Sequence, residues 1–253
     1  LQGGAVSAVV RKHNLPNETV FDEVRLYASA PLSGPYTVDG VRIGSPICED
    51  SWHPDVPETL AETGAEFLLV PNGSPYYRGK LSTRQSHMVS RVVETDLPLI
   101  YLNLVGAQDD QVFDGGSCVL NPGGALALQM PVMEEAVAHL DMVRGSDGWR
   151  AEKGALAHIP DSHEQDYHAM VLSLRDYFRK TGFSRALLGM SGGVDSAIVA
   201  TIAADALGPE NVRCVMLPSE YTSEHSLEDA KTVAEALGCR YDFVPITEGR
   251  AAI

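Results

Sequence analysis

Basic residues are scarce in this chain, and it has no long apolar run. Its 253 residues include 19 Lys and Arg against 34 Asp and Glu, which gives a formal net charge of −15. A nucleic-acid surface needs clustered cations to neutralise phosphates, so this balance argues against such a partner. No apolar run approaches the length of a membrane span, and no signal-peptide pattern is visible. We therefore expect neither membrane insertion nor secretion.

Cysteines are also few, and their spacing lacks the common paired motifs. Cys48, Cys118, Cys214 and Cys239 lie far apart and form no CxxC pair. This spacing argues against a disulfide framework and a zinc site, and it favours a reducing cytoplasm. With no internal repeat and 44% hydrophobic residues, the chain has room for one large or two modest globular domains.

The first part of the chain alternates short apolar strands with helices. We predict strands at 5–10, 41–48, 67–72 and 99–105, and helices at 56–63 and 81–95. After Asp114 the pattern changes to consecutive antiparallel strands with an NPGG turn, the last of them at 136–143.

A polar, Gly-rich segment at 145–163 has no periodicity and is typical of a linker or an exposed crossover. Beyond it we predict helices at 164–181, 196–207 and 225–237, with strands at 185–190, 212–217 and 240–245. This alternation predicts the opening of a parallel, doubly wound sheet that binds ligands at its strand C-termini. The predicted domains are therefore 1–145 and 164–253, joined by a linker at 146–163.

The phrase ALLGMSGGVDS, residues 186–196, joins a strand to a helix through a glycine-rich loop. Its sequence is typical of the pyrophosphate loop of ATP-dependent adenylating enzymes and lacks the Gly-Lys-Ser/Thr ending of a Walker loop. The glycines would let backbone N–H groups and the helix N-terminus approach a phosphate. An accidental Gly-Gly turn is the alternative. The residues that carry the pattern are Ser191, Gly192, Gly193, Asp195 and Ser196.

Cys48 ends the predicted apolar strand 41–48 and precedes two acidic residues, so it is the best candidate for a reactive thiol. The alternative is a buried cysteine, which is the interpretation given to Cys118, Cys214 and Cys239. Lys12 follows the predicted strand at 5–10 and would either face a cleft or be an ordinary surface lysine.

Longer phrases resemble the glutamine-dependent NAD synthetases. Similarity to the nitrilase-type glutaminase domain of that family is carried by KHNLPNETVFDEVR, ICEDSW, NGSPY and VFDGGS. Similarity to its synthetase domain is carried by RDYFRKTGFSRALLGMSGGVDSA and LPSEYTSEHSLEDA. The resemblance implies an α/β fold: the C-terminal part of a nitrilase-like αββα sandwich, followed by the start of an adenine-nucleotide hydrolase-like domain with a doubly wound parallel sheet.

In the first domain, the resemblance implies that Cys48 attacks the side-chain amide of glutamine to give a thioester and ammonia, while Lys12 stabilises the oxyanion. It places a glutamate base well upstream of Lys12, outside these residues, and makes Glu23 and Glu49 supporting carboxylates. The glutamine-binding positions it implies are Ser74, Lys80 and Glu18, the last replacing the usual tyrosine of the family.

In the second domain, the resemblance implies that ATP adenylates nicotinic acid adenine dinucleotide (deamido-NAD), and that ammonia then displaces AMP to give NAD. Asp195 would ligate Mg²⁺. Met216 would contact adenine or belong to the core, and Ser219 and Thr222 would bind ligand or form a turn. The resemblance also implies that phosphates and ribose are bound by Gly189, Ser191, Gly193 and Ser196.

Both ends of the sequence look cut from a longer protein, so we expect the isolated 253-residue polypeptide to be inactive in both reactions. The resemblance also implies a homo-oligomer with glutamine, ATP and deamido-NAD as substrates. Three other interpretations stay open: a different ATP pyrophosphatase amidotransferase, a nitrilase-type amidase with a nucleotide-binding regulatory module, and an inactive fragment or pseudoenzyme that binds adenine nucleotide.

Overall fold

The structure, a computed structural model, describes residues 3–247. It divides into two compact units, one within Leu1–Gly106 and Phe113–Ser162, the other within Ala107–Val112 and His163–Ile253. Within the described range, no helix is both long and apolar enough to cross a membrane.

Residues 3–151 form ten strands and three α-helices. The strands are β1 (Tyr36–Val38), β2 (Val41–Gly44), β3 (Phe67–Asn72), β4 (Leu99–Asn103), β5 (Val105–Gln108), β6 (Gln111–Asp114), β7 (Cys118–Asn121), β8 (Ala125–Gln129), β9 (Met142–Gly145) and β10 (Gly148–Ala151). The α-helices are α1 (Glu23–Leu26), α2 (Asp55–Glu62) and α3 (Lys80–Thr95), and 3₁₀ turns span Cys48–Ser51 and Pro122–Gly124.

Six of these strands form one mixed sheet in the order β1-β2-β3-β4-β7-β8. Strands β2, β3 and β4 run parallel, whereas β7 and β8 are antiparallel. Side chains alternate in β3, where Leu68 and Val70 are fully buried against α2 and α3. Each such residue stabilises the fold by roughly 1.5–3 kcal/mol. The predicted NPGG turn between antiparallel strands is confirmed between β7 and β8.

The second unit contains α4 (Ser162–Thr181), β11 (Ala186–Gly189), α5 (Val194–Leu207), β12 (Val212–Met216), α6 (Glu224–Ala236) and β13 (Arg240–Phe243). The three strands are parallel in the order β11-β12-β13, as the alternation predicts. Alanines fill much of the core between the helices and this sheet, because their small side chains let the helices lie close to the strands. These alanines are Ala200, Ala203, Ala204, Ala230 and Ala234.

Five predictions about local structure need correction. The predicted strand 41–48 ends at Gly44, because Pro46 has no N–H to donate to a ladder, and Cys48 instead begins the 3₁₀ turn Cys48–Ser51. Residues 6–10 form no strand: Val6 and Val9 are exposed and have no ladder partner, and strand preference depends on such packing. The predicted strand 99–105 is two strands, β4 and β5, with β5 pairing with β6. Residues 136–141 are irregular, and only 142–145 pairs, with β10. That pairing places a strand inside the predicted linker, whereas the domain boundaries themselves stay a prediction.

Candidate active site and nucleotide loop

Cys48 lies at the carboxyl edge of the parallel strands in the first unit. It follows β2 and opens the 3₁₀ turn, while Gly73 follows β3, the strand next to β2 in the sheet. The backbone of Cys48 has φ of 51°, a left-handed conformation that few non-glycine residues adopt and that marks a constrained turn. The Ser51 hydroxyl donates a hydrogen bond of 2.6 Å to the Cys48 carbonyl and helps to hold this turn.

A cleft of about 700 Å³ brings together two of the residues predicted for glutamine hydrolysis. Cys48 and Lys12 both line it, together with Glu23. The other lining residues are Arg11, Leu15, Phe21, Tyr27, Ala28, Ala30, Ile47, Pro71, Asn72 and Gly73. Thus a thiol, an ammonium group and a carboxylate share one partly apolar opening.

The environment of Cys48 contains opposing effects on its thiol. Burial raises the pKa above its ordinary value, while the Lys12 ammonium and the Gly73 backbone N–H lower it; Glu49 and Glu23 add to the increase. The net pKa is raised, so a proton acceptor is needed for attack. The other three cysteines are buried as predicted, and burial raises the pKa of Cys118 to about 12 and that of Cys214 to about 11.

Lys12 is held by a carboxylate. Its Nζ lies 2.6 Å from Oε2 of Glu23, and both side chains are largely buried, at 16% and 24% exposure. A short, partly buried ion pair of this kind restricts where the ammonium group can lie. The interpretation of Lys12 as an ordinary surface lysine is therefore wrong, and Glu23 is the carboxylate that holds it.

Asp50 is a site residue for which the sequence analysis found no role. Its carboxylate is 1% exposed and accepts backbone N–H bonds from His13 at 3.1 Å, Asn14 at 2.6 Å and Ile47 at 3.0 Å. The sequence does contain a signal for the Ile47 bond, because an acidic residue at the third position of a helical turn often caps the turn. The bonds to His13 and Asn14 span 37 and 36 residues and have no local signal.

Ser74 directly follows Gly73, which lines the cleft, and belongs to a buried polar network. Its hydroxyl and its carbonyl accept hydrogen bonds from Arg84, whose guanidinium also forms a two-pronged ion pair with Asp114 at 2.7 and 2.9 Å. Asn103 accepts the Ser74 backbone N–H at 2.9 Å and donates to the Ser74 carbonyl at 3.2 Å. Such a network fixes the chain after β3 firmly, because each buried polar group has a partner. In the sequence, only the phrases NGSPY and VFDGGS pointed to residues of this network.

Lys80 and Glu18 do not line the Cys48 cleft in the part of the chain that is described. Lys80 begins α3, and its Nζ lies 4.2 Å from the Trp52 ring centre and 4.7 Å from that of Tyr77, which indicates cation–π contacts. Glu18 is exposed on the loop before α1. The glutamine contacts assigned to Ser74, Lys80 and Glu18 stay predictions.

In the second unit, the loop between β11 and α5 is cross-linked by its own hydroxyl groups. The Ser196 hydroxyl accepts the Ser191 backbone N–H at 3.2 Å and donates to the Gly193 carbonyl at 2.9 Å. The Ser191 hydroxyl accepts the Gly193 N–H at 3.2 Å. These bonds order the loop at the N-terminus of a 14-residue helix, where backbone N–H groups attract anions.

Gly192 is required at its position by close packing as well as by conformation. Its φ is 79°, and an added Cβ would lie 2.3 Å from the Ser226 carbonyl oxygen on α6. Any side chain would therefore push α6 away from the loop. The alternative of an accidental Gly-Gly turn does not account for this contact.

Asp195 lies exposed in the first turn of α5, beside the serines of the loop. No cluster of three or more His, Cys, Asp or Glu side chains suited to a metal occurs within residues 3–247. One carboxylate with neighbouring hydroxyls nonetheless fits Mg²⁺, which prefers oxygen ligands and often takes several of them from substrate phosphates and water.

Three further residues were predicted near the nucleotide. Met216 is 3% exposed and packs in the core of the second unit, so its adenine contact stays a prediction. Ser219 and Thr222 form a turn: the Ser219 N–H donates to the Thr222 hydroxyl at 3.0 Å, and the Thr222 N–H donates to the Ser219 carbonyl at 3.1 Å.

A cysteine beside a lysine–glutamate pair, at the edge of a mixed sheet, is an arrangement suited to attack of a thiol on an amide carbon. The carbon-nitrogen hydrolase family model matches residues 2–147, and the chain belongs to this family. The NAD synthase family model matches residues 166–253. The predicted fold class, a nitrilase-like domain followed by the start of a synthetase domain, is confirmed.

Relatives of this chain carry both regions in the same order. It is 57% identical to the glutamine-dependent NAD(+) synthetase of Rhodobacter capsulatus over 100% of this chain and 46% of that protein. It resembles the structure of glutamine-dependent NAD+ synthetase from Acinetobacter baumannii in complex with ADP, with a TM-score of 0.94 and 35% identity over 100% of this chain and 48% of that one. The predicted resemblance is thus confirmed, and the chain spans about half the length of the relatives it matches.

The carbon-nitrogen hydrolase of Helicobacter pylori shares the fold alone. Its structure gives a TM-score of 0.50 at 20% identity, covering 71% of this chain and 58% of that one.

Proposed function

We propose that the protein carrying these residues makes NAD by ATP-dependent amidation of deamido-NAD, using ammonia that Cys48 releases from glutamine. The observation that carries the proposal is the cleft shared by Cys48, Lys12 and Glu23, in one chain with the SGGVDS loop. The similarity to glutamine-dependent NAD(+) synthetases supports this pairing of a hydrolase with a ligase.

In the first reaction, the Cys48 sulfur attacks the side-chain amide carbon of glutamine. The thiol proton passes to a carboxylate base and then to the departing nitrogen, which leaves as ammonia, and water hydrolyses the thioester to glutamate. Lys12 faces the oxyanion of each tetrahedral intermediate. Because Glu23 already pairs with Lys12 at 2.6 Å, we assign Glu23 to holding the lysine and the base to the glutamate that the family resemblance places upstream.

In the second reaction, the loop at the start of α5 binds the phosphates of ATP. As the carboxylate of deamido-NAD attacks the α-phosphorus of ATP, the bond to the β-phosphate breaks, and the loop's backbone N–H groups and the helix N-terminus stabilise the negative charge on the departing pyrophosphate. Asp195, together with phosphate oxygens, would hold Mg²⁺, which neutralises phosphate charge when bound. Gly189, Ser191, Gly193 and Ser196 shape this cradle, and ammonia then displaces AMP.

Two further points belong to the proposal and follow from composition and family resemblance. We place the protein in the cytoplasm, in keeping with its unpaired cysteines, and we expect a homo-oligomer. Size measurement of the purified protein in solution would test the second point, and a monomer at micromolar concentration would overturn it.

The proposed function can be tested with the natural polypeptide that carries these residues. Incubation with glutamine, ATP, Mg²⁺ and deamido-NAD should yield NAD, glutamate, AMP and pyrophosphate in equal amounts, as measured by chromatography. Omission of ATP should stop NAD formation, and ammonium chloride should replace glutamine. Production of ADP and phosphate in place of AMP and pyrophosphate would contradict the adenylation step.

A further inference from the structure

We propose that Asp50 is a positioning residue that fixes Lys12 in place opposite Cys48. The inference rests on the proposed glutaminase and adds to it a residue that does not line the cleft itself. It starts from one buried carboxylate that accepts hydrogen bonds from two segments far apart in sequence.

The two oxygens of Asp50 have separate partners. Oδ1 accepts the N–H groups of His13 and Asn14, and Oδ2 accepts the N–H of Ile47. His13 directly follows Lys12, and Ile47 directly precedes Cys48. One carboxylate therefore ties together the main-chain segments that carry the two reacting side chains.

A local capping role accounts for only one of these bonds. The bond from Ile47 closes the 3₁₀ turn Cys48–Ser51, as a capping carboxylate does in many proteins. The bonds from His13 and Asn14 come from a segment 36 to 37 residues away and do nothing for the turn itself. They hold the segment that follows Lys12 against the turn.

No strand ladder holds the Lys12 segment, and its side chains also contact Asp55, at the start of α2: Asn14 at 3.1 Å and His13 at 3.6 Å. Residues 6–10, just before Lys12, form no strand. The bonds at His13 and Lys12 to Ser29 and Ala30 connect the segment to a neighbouring loop and not to the Cys48 turn. Displacement of a catalytic group by about 1 Å can lower a rate by about 10²-fold, so the bonds to Asp50 bear directly on catalysis.

The test is a double-mutant cycle in the natural polypeptide, with Asp50→Asn, Lys12→Met and the double variant. Asparagine keeps the size of the side chain but has only one acceptor oxygen. It therefore cannot accept the N–H groups of both the His13–Asn14 segment and Ile47. If Asp50 acts through Lys12, Asp50→Asn should lower kcat for glutamine hydrolysis by about 10²-fold and change KM by less than about threefold. In the Lys12→Met background the same change should lower kcat by less than about threefold.

A matched control is Asn121→Ala. Asn121 also bridges distant segments, since it accepts the Ala151 N–H at 2.8 Å and donates to the Ala151 carbonyl at 2.9 Å. This variant should lower the melting temperature and leave kcat for glutamine hydrolysis within about twofold of the wild-type value. If Asp50→Asn costs the same factor with and without Lys12, Asp50 merely supports the fold and the inference is overturned.

A second variant covers the case in which Asp50→Asn does not fold. Replacing the backbone N–H of Asn14 by an ester oxygen removes a single donor to Asp50 and leaves Asp50 itself intact. The loss of kcat should again depend on the presence of Lys12.

If the wild-type protein hydrolyses no glutamine, the proposed function fails. The inference is then judged by alkylation of Cys48 with iodoacetamide, which Asp50→Asn should slow only when Lys12 is present, because Lys12 lowers the thiol pKa. Equal slowing in both backgrounds would overturn the inference.

Discussion

The two sites of this chain are built in opposite ways. In the first unit, the groups proposed to react are side chains held in place by an ion pair or a buried carboxylate, as Glu23 holds Lys12 and Asp50 holds the Cys48 turn. In the second unit, the site is a largely exposed backbone loop at a helix N-terminus, in which the Ser196 and Ser191 hydroxyls accept the N–H groups of Ser191 and Gly193.

The difference follows from the chemistry that each site would perform. A nucleophile needs one defined position and a tuned pKa, which burial and charged neighbours supply. A phosphate needs several weak donors over a wide surface, which a glycine-rich turn at a helix N-terminus supplies. Substitutions should therefore act through single atoms in the first site and through backbone shape in the second.

The largest expected effect is at Cys48. Cys48→Ala should lower glutamine-dependent NAD formation by at least about 10³-fold, because no other group replaces the attacking sulfur. Ammonia-dependent NAD formation should stay within about twofold of wild type, since the synthetase chemistry does not use this thiol. Cys118→Ala, at a fully buried cysteine, is the control: it should lower stability and retain glutamine hydrolysis. Equal loss with both nitrogen sources would contradict the separation of the sites.

Asp195→Asn should produce the reverse pattern. Loss of the carboxylate removes the predicted Mg²⁺ ligand, so NAD formation should fall by about 10²-fold with either nitrogen source. Glutamine hydrolysis should continue. Asp229→Asn, at an exposed position of α6, serves as the control in the same assays. Retained synthesis in Asp195→Asn would show that Asp195 is not the metal ligand.

Gly192→Ala should change the second unit through its backbone. The new Cβ would meet the Ser226 carbonyl at 2.3 Å in a left-handed conformation, so we expect a loss of about 2–4 kcal/mol in the free energy of unfolding. Gly182→Ala has the same sign of φ but no atom within 4 Å of the added Cβ, and should cost only about 1 kcal/mol. Denaturant unfolding measures both; similar losses would mean that the contact with α6 is unimportant.

The smallest effect concerns the pH dependence of Cys48. Burial raises its pKa and Lys12 lowers it, so Lys12→Met should raise the pKa further. Because the thiolate reacts, the rate of alkylation by iodoacetamide rises with pH through this pKa, and the variant's curve should lie at higher pH. Below both midpoints its rate should be about three- to tenfold lower. Overlapping curves would show that Lys12 does not influence the thiol.

Much of this account could be predicted from the sequence because the signals were local. Helix and strand positions in the second unit follow from hydrophobic periodicity, and they agree with the structure within about two residues. The SGGVDS loop could be placed between a strand and a helix for the same reason. Cys48 could be singled out because it lies between an apolar phrase and two acidic residues, although β2 itself ends at Gly44.

The rest depends on contacts between distant residues. Neither the ion pair of Lys12 with Glu23 nor the bonds from His13 and Asn14 to Asp50 has a signature in the neighbouring sequence. The predicted strand at 5–10 was wrong because apolar, β-branched residues form a strand only when another strand pairs with them. The buried Arg84–Asp114 pair was missed because charged residues are predicted at the surface unless their partner is known.

The central claim is that nitrogen released at Cys48 enters the product made at the SGGVDS loop. The natural polypeptide should be given glutamine labelled with ¹⁵N at the side-chain amide, with ATP, Mg²⁺ and deamido-NAD, and the NAD analysed by mass spectrometry. We predict NAD heavier by one mass unit, in an amount matching the glutamate formed, and no labelled NAD from Cys48→Ala. Glutamate formed without labelled NAD would contradict the claim.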